Sequence, residues 1–278
     1  MKNIKPEIKE KPYFNAGATS LFEEGTRPLN PIEPYIISGG QVTERCYFGH
    51  LAKCTKYKFN VLPKFFGNES SYADVFPRHI DEILSGNPDA RIYCVFDLDT
   101  IYGNLKSQNE AKRKCAVANK KTFEIFKKKY ALSQNVVLCP SMPCFEYWFL
   151  LHFENDTTLY KTCGKVIKRL EPFMRGYFPD NGLSSEALFK MKKTRIVDKI
   201  KLVSILKTES YLSNGEWVRM LCENGKLENA VRTAEENINS AKKKDMLEQE
   251  SYSYVFQPFK NYDADMSRLE PSMENRTD

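Results

Sequence analysis

Between residues 34 and 156, short apolar runs alternate with longer stretches in which apolar residues recur at helical spacing. The clearest run is 91–97, which is β-favouring and has its acidic residue only at its end. A shorter run at 35–38 ends in Gly39-Gly40, after which Thr43 is placed to cap a helix. The pattern predicts strands at 35–38, 57–65, 91–97 and 135–139, and helices at 43–55, 70–84, 109–130 and 143–153.

The helix predicted at 109–130 has one apolar stripe, and its other faces are dense in lysine and arginine. We expect this stripe to pack on the sheet, because residues three and four apart share a helix face. Its members are Ala111, Cys115, Ala118, Thr122 and Ile125.

The alternation of strands and helices predicts a doubly wound α/β fold with a mostly parallel, four-stranded sheet. After residue 157 the pattern is helical only, with helices predicted at 160–174, 186–206 and 224–244. The chain therefore divides into a flexible arm at 1–33, an α/β core at 34–156, a helical extension at 157–257 and a polar, frayed tail at 258–278.

Charge, cysteine content and hydropathy limit the partners and the compartment that we expect for this chain. The net charge of +6 favours an anionic partner only weakly, since a solvated basic surface gives the same excess. The eight cysteines form no CxxC pair and several lie in apolar runs, which indicates buried free thiols in a reducing compartment, not disulfides or a zinc site. No window resembles a signal peptide or a membrane span, so we expect a cytoplasmic protein with no membrane partner.

Asp97 and Asp99 are the strongest candidates for chemistry, because ligands of α/β sheets collect at the carboxyl ends of the strands. Alternate residues of an extended segment face the same side, so the two carboxylates can share one hard divalent cation. Without a cation, two such close like charges would raise one pKa. The alternative is that both aspartates only cap a turn and a helix.

Glu146 stands inside an otherwise apolar, aromatic stretch, and a buried carboxylate needs a partner. We therefore favour a functional role for it. His152 is six positions further on and is interpreted as a core histidine bonded to backbone. Cys144 would need an exposed thiol of lowered pKa to act as a nucleophile, and since nothing indicates one, we discount that role.

Three segments, taken together, indicate a protein family more specifically than any of these residues does alone. They read IISGGQVTERCYF from Ile36, VFDLD from Val95 and SMPCFEYWFLLHF from Ser141. In this order they resemble the RloB-like family, which is encoded near restriction and phage-defence genes in bacteria and has a Toprim-like core. The resemblance covers about 34–153, with looser similarity onward.

The resemblance implies a glutamate after the first strand and a DxD pair that holds Mg²⁺ (or Mn²⁺) for phosphodiester cleavage. The pair corresponds to Asp97 and Asp99. Where the family usually has Glu-Gly followed by Thr-Glu, this chain has Gly39-Gly40 followed by Thr43-Glu44. Glu44 either supplies the missing ligand or only stabilises its helix. If the missing carboxylate limits chemistry, Gly39→Glu should raise cleavage, provided that this turn glycine does not need a positive φ.

We predict a Mg²⁺-dependent, Toprim-like nuclease of bacterial anti-phage defence, acting on RNA or DNA. The alternatives are a catalytically degenerate nucleic-acid or nucleotide-binding subunit that acts with a partner such as an ATPase, and a scaffolding protein with solvent-facing aspartates. The predicted catalytic residues are Glu44, Asp97, Asp99 and Glu146, of which Glu44, Asp97 and Asp99 would bind the metal.

Basic residues are the candidates for binding nucleic acid, although a lysine-rich helix is equally typical of a solvated face. Those in the extension are expected to border the site and to set its access. The predicted phosphate-binding residues are Gly40, Lys112, Lys120, Lys190, Lys192, Lys193 and Arg195.

Overall fold

The computed structural model describes residues 29–62, 75–105, 107–178, 201–244 and 250–269. Within these ranges the chain forms one five-stranded sheet with the order β2-β1-β3-β4-β5. The first four strands are parallel and the last pairs antiparallel with β4. The strands are β1 (Tyr35–Ser38), β2 (Asn60–Leu62), β3 (Ile92–Asp97), β4 (Val136–Met142) and β5 (Tyr252–Ser253).

The predicted α/β class and mostly parallel sheet are confirmed, but the described sheet has five strands where four were expected. The fifth comes from a segment near the far end of the chain, which no local pattern distinguished. The helices are α1 (Thr43–Cys54), α2 (Phe76–Gly86), α3 (Asp99–Tyr102), α4 (Glu110–Tyr130), α5 (Glu146–Leu150), α6 (Cys163–Met174), α7 (Leu202–Leu206), α8 (Glu209–Leu212), α9 (Glu216–Cys222), α10 (Lys226–Lys243) and α11 (Phe256–Leu269).

Side chains of β3 alternate between two hydrophobic cores, one on each face of the sheet, as the two-residue period of a strand requires. Tyr93 and Val95 belong to the core that contains α1 and α5. Cys94 and Phe96 belong to the core that contains α2 and α4. Helices therefore cover both faces, as expected of a doubly wound sheet.

The helices after residue 157 share the core of α1 and α5. Leu170, Leu206 and Trp217 lie in the same buried cluster as Tyr47 and Trp148. Thr43 adds a polar contact, because its hydroxyl donates to the Leu206 carbonyl at 2.6 Å. This hydroxyl therefore does not cap α1, contrary to expectation, and Thr43 is itself the first residue of the helix.

The buried face of α4 differs from the predicted stripe. Ala116, Phe123, Phe126 and Tyr130 are buried, whereas Ile125 is 62% exposed. Burying aromatic rings removes more apolar surface from water than burying a stripe of mostly small side chains, so the rings determine which face meets the sheet.

The frayed tail predicted at 258–278 is wrong for its described part, because α11 runs from Phe256 to Leu269. Phe259 and Tyr262 are buried in the first core. Asp265 is also buried, where Arg91 donates to it at 2.9 Å and the Tyr93 hydroxyl donates to its second oxygen. The helix is therefore fixed to the sheet by both apolar and ionic contacts.

The segment around β4 also departs from the prediction. The strand continues to Met142, because its end pairs with both β3 and β5. The peptide that follows, Met142–Pro143, is cis, and α5 is confined to Glu146–Leu150, shorter than the helix predicted at 143–153. Strand β2 spans Asn60–Leu62 among the described residues, and positions 63–65 of the strand predicted at 57–65 lie outside them.

None of the helices in the described part of the chain is long and apolar enough to cross a membrane.

Candidate metal centre

Four acidic residues follow the carboxyl ends of three adjacent strands. Asp97 ends β3 and Asp99 begins α3, while Glu44 lies in the first turn of α1 and Glu146 begins α5 after β4. Strands β1 and β4 both pair with β3, so these strand ends lie at one edge of the sheet. Glu44 and Glu146 are buried, whereas Asp97 and Asp99 each keep part of their surface open to solvent.

The pKa shifts indicate that the four acidic residues interact with one another. The pKa of Asp97 is raised well above its usual value, first by burial and then by Glu44, Glu146 and Asp99, in that order. Each of these carboxylates is therefore close enough to oppose the ionisation of Asp97. The four carboxylates predicted from the sequence therefore interact at this edge of the sheet.

The two buried glutamates experience the same environment. Burial and the charge of Glu146 raise the pKa of Glu44 to about 7. Burial also raises the pKa of Glu146, to which Asp99 contributes. Lys207 opposes both shifts, so a cation of the helical extension lies near this pair.

Two of the carboxylates lie close to backbone of neighbouring segments. The Phe145 amide donates to Asp97 Oδ1 at 2.7 Å, which links the end of β3 to the start of α5. The Glu44 carboxylate lies against Gly40, where an added Cβ would stand 2.0 Å from Glu44 Oε2. Gly40 therefore makes room for this carboxylate, a role that its prediction as a phosphate-binding residue did not include.

Gly39 cannot place a carboxylate directly in this cluster. A Cβ there would meet Phe96 Cβ at 3.1 Å and Phe76 Cζ at 3.4 Å, in the core on the opposite face from Asp97. Its φ is not among the positive values, which the described glycines adopt at Gly215 and Gly225. A glutamate at position 39 would therefore be crowded by its neighbours and would point away from the cluster. The backbone conformation, which the sequence suggested as the obstacle, is not one.

His152 and Cys144 have structural roles. His152 lies in the core with its Nδ1 at 2.9 Å from the Trp148 carbonyl, and burial lowers its pKa to about 4, so the interpretation as a core histidine is confirmed. Cys144 is joined to Cys163 in a disulfide, which corrects the expectation that all the cysteines are free thiols. The pair escaped detection because nineteen positions separate its members. Cys163 Sγ also lies 3.1 Å from Glu146 Oε2.

The sequence also missed Lys207. It follows α7, immediately after the residue whose carbonyl receives the Thr43 hydroxyl. The next helix, α8, provides Glu209, whose charge acts on Arg45 of α1. The segment between α7 and α8 therefore borders the acidic cluster. Nothing in the sequence distinguishes this lysine from the many others of a basic chain.

The predicted nucleic-acid residues are only partly described. Lys112 and Lys120 are exposed on α4. Lys120 Nζ lies 5.9 Å from the ring centroid of Tyr102, which belongs to the short helix that Asp99 begins, so at least this lysine is near the acidic edge. Lys190, Lys192, Lys193 and Arg195 lie outside the described residues.

Carboxylates are chemically suited to a hard divalent cation, although in the described residues no three of these four offer oxygens that all lie within 4.8 Å of one another. Mg²⁺ takes oxygen ligands and retains several waters, so a few carboxylates on a partly open edge suffice to bind it. The positive charge would also offset the mutual repulsion that raises the pKa of Asp97.

Comparisons with known proteins yield one match. The model of a family described as RloB-like protein matches residues 35–261, which includes the sheet and all four acidic residues. No curated protein and no solved structure matches the chain.

Proposed function

The chain belongs to the RloB-like protein family, and from this premise we propose that it is a Mg²⁺-dependent nuclease with a Toprim-like core. The observation that carries the proposal is the position of Glu44, Asp97, Asp99 and Glu146 at the carboxyl ends of three adjacent parallel strands. The resemblance of the motifs to phage-defence proteins supports a role in bacterial antiviral defence.

The residues have distinct tasks in this proposal. Asp97 and Asp99 would hold the cation, and Glu44 would replace the carboxylate that position 39 lacks. Glu146 closes the site from α5. When bound, Mg²⁺ would neutralise charge on the scissile phosphate and polarise the attacking water. Lys207, beside the two glutamates, is placed to attract a phosphate of the substrate.

Nucleic acid is the proposed substrate because of the charge distribution around this edge. Helix α4 presents Lys112 and Lys120 to solvent, and Lys120 lies near Tyr102, three residues after Asp99. Phosphate contacts by such lysines supply affinity without sequence preference. The cell's RNA and DNA both carry the phosphodiester that this site would cleave.

The test is an assay of the purified chain on labelled tRNA, single-stranded RNA and plasmid DNA, with Mg²⁺, Mn²⁺ or a chelator. We expect metal-dependent cleavage of at least one substrate, abolished in Asp97→Asn and in Asp99→Asn. Asp263→Asn is the matched control, since Asp263 is an exposed aspartate on α11. Cleavage that survives both site substitutions, or that needs no metal, would overturn the proposal.

A second function is a nucleic-acid or nucleotide-binding subunit that acts with a partner such as an ATPase. The observation that favours it is Gly39, which lacks the carboxylate expected of the family and faces away from the cluster. Under this proposal the chain never cleaves alone, while Asp97→Asn still loses metal-dependent binding of nucleic acid. If the native chain cleaves and Glu44→Gln abolishes cleavage, the binding-subunit proposal is wrong.

A further inference from the structure

A second group of potential metal ligands lies beside Glu146 and differs in chemistry from the acidic cluster. The sulfurs of Cys144 and Cys163 and a carboxylate oxygen of Glu146 all lie within 4.8 Å of one another. Cys144 and Glu146 are buried, and Cys163 is partly exposed at the start of α6. Since Mg²⁺ selects oxygen ligands, the two sulfurs add nothing to the site proposed above.

A thiol reductant can reach the disulfide, because Cys163 is partly exposed. A dithiol transfers two electrons and two protons to the Cys144–Cys163 bond, which yields two cysteine thiols, and the reductant becomes a disulfide. The thiols then lose their protons to solvent when a cation binds, because the thiolate is the metal ligand. The Cα atoms of the two cysteines lie 5.6 Å apart, so the side chains remain neighbours after reduction.

We propose that the reduced pair, together with Glu146, forms a site for a thiophilic divalent cation, for which Zn²⁺ is the best match. Zinc binds sulfur at about 2.3 Å and carboxylate oxygen at about 2.0–2.2 Å, and three protein ligands with a water in the fourth position are a common arrangement. Tetrahedral bonds of that length hold two sulfurs roughly 3.8 Å apart, which side-chain rotation can provide once the bond is open.

The contact between Cys163 and Glu146 adds the third ligand. Cys163 Sγ lies 3.1 Å from Glu146 Oε2, so the carboxylate already faces the sulfur before any cation is present. Two thiolates carry enough negative charge to hold the cation, and burial of Cys144 and Glu146 limits competition from water. Glu146 would thus be shared between a soft site and the hard site formed with Asp97.

The test uses Co²⁺ as a spectroscopic substitute for Zn²⁺ on the full chain, reduced with a phosphine and freed of metal. Thiolate coordination gives a charge-transfer absorbance, which we expect to saturate at one equivalent and to disappear when Zn²⁺ is added. The absorbance should be lost in Cys163→Ser and in the oxidised protein. Cys163 is the preferred target because it is partly exposed, and far-UV circular dichroism verifies the fold.

Two variants control for other cysteines. Cys115→Ser removes an exposed thiol, and Cys222→Ser removes the partner of the Cys54 thiol, so both should keep the absorbance. An absent absorbance in the reduced native chain, or an undiminished one in folded Cys163→Ser, would overturn the proposal. The nuclease proposal has a separate readout, since Mn²⁺ binding by Asp97 and Asp99 does not require sulfur.

Discussion

Two of the places where carboxylates are buried beside the sheet have opposite surroundings. Asp265, which is 2% exposed, receives a hydrogen bond from Arg91 on one oxygen and from the Tyr93 hydroxyl on the other. Glu44 and Glu146, each 5% exposed, lie among other carboxylates that raise their pKa values or that of Asp97.

The difference indicates what each place is for. A buried carboxylate paired with a guanidinium and a phenol satisfies its own charge, and it fixes α11 to the sheet. A cluster of like charges costs stability in the free protein, and that cost is reduced when a carboxylate is protonated or a cation binds. The paired site is therefore structural and the clustered site is the one suited to bind a ligand.

The largest expected effect concerns the paired site. Asp265→Ala should lower the free energy of unfolding by about 3 kcal/mol, because it leaves Arg91 without its carboxylate and the Tyr93 hydroxyl without an acceptor. Urea denaturation measures the decrease. Asp263→Ala on the same helix removes an exposed ion pair with Lys56 and should change stability little. Equal decreases in both variants would remove the structural role assigned to Asp265.

Removing a charge from the acidic cluster should change the stability of the protein in the opposite direction. In metal-free protein, burial and the neighbouring carboxylates oppose the ionisation of Asp97, so Asp97→Asn should leave stability unchanged or raise it. The amide can still accept the Phe145 N–H, so this hydrogen bond is retained. A destabilisation as large as that of Asp265→Ala would mean that Asp97 is paired in the same way.

The pH dependence of stability distinguishes the two sites further. Glu44 has an ordinary pKa of 4.5 and a folded value of about 7, so between these values the unfolded chain ionises while the folded chain holds the proton. Its contribution is fully present below 4.5 and is lost as the pH rises through about 7. Thermal melts in a chelator should show this fall.

The control for that fall is Glu44→Gln, which should flatten the pH dependence relative to the native chain. Glu146 raises the pKa of Glu44 from α5, and Lys207 lowers it from the segment after α7. Identical pH profiles of the native chain and the variant would show that Glu44 titrates normally.

The smallest expected effect concerns the exposed lysines of α4. Replacing Lys112 and Lys120 by alanine should weaken binding of nucleic acid and reduce its salt dependence by about one unit of slope for each phosphate that is no longer neutralised. Binding curves at several salt concentrations give the slope. Lys243→Ala, at the end of α10, is the control and should leave the slope unchanged. A slope unaltered by the double substitution would remove α4 from the binding surface.

Local patterns predicted the parallel sheet and the position of Asp97 at a strand end, because periodicity and strand-end placement are properties of adjacent residues. They failed where distant segments decide the outcome. Ser253 of the antiparallel strand β5 lies 112 positions from its contact Ser141. Cys163 lies 19 positions from its disulfide partner Cys144. The buried face of α4 was also missed, since ring volume outweighed the regular spacing of smaller residues.

The candidate site shows the same limit. Asp97, Asp99, Glu44 and Glu146 were all identified from sequence, because each follows a strand end or interrupts an apolar stretch. Lys207 was missed, because its proximity to Glu44 arises from packing of α7 against α1. The sequence also did not predict the direction in which a side chain at position 39 would point, since this depends on which face of the sheet that position meets.

The most direct test of the central claim is titration of the metal-free chain with Mn²⁺, followed by electron paramagnetic resonance of the free ion. We expect the native chain and Asp263→Asn to bind Mn²⁺, with Mg²⁺ as a competitor, and Asp97→Asn and Asp99→Asn to lose this binding. Retention of full Mn²⁺ binding by both folded site variants would contradict the assignment of this acidic edge as a divalent-metal site.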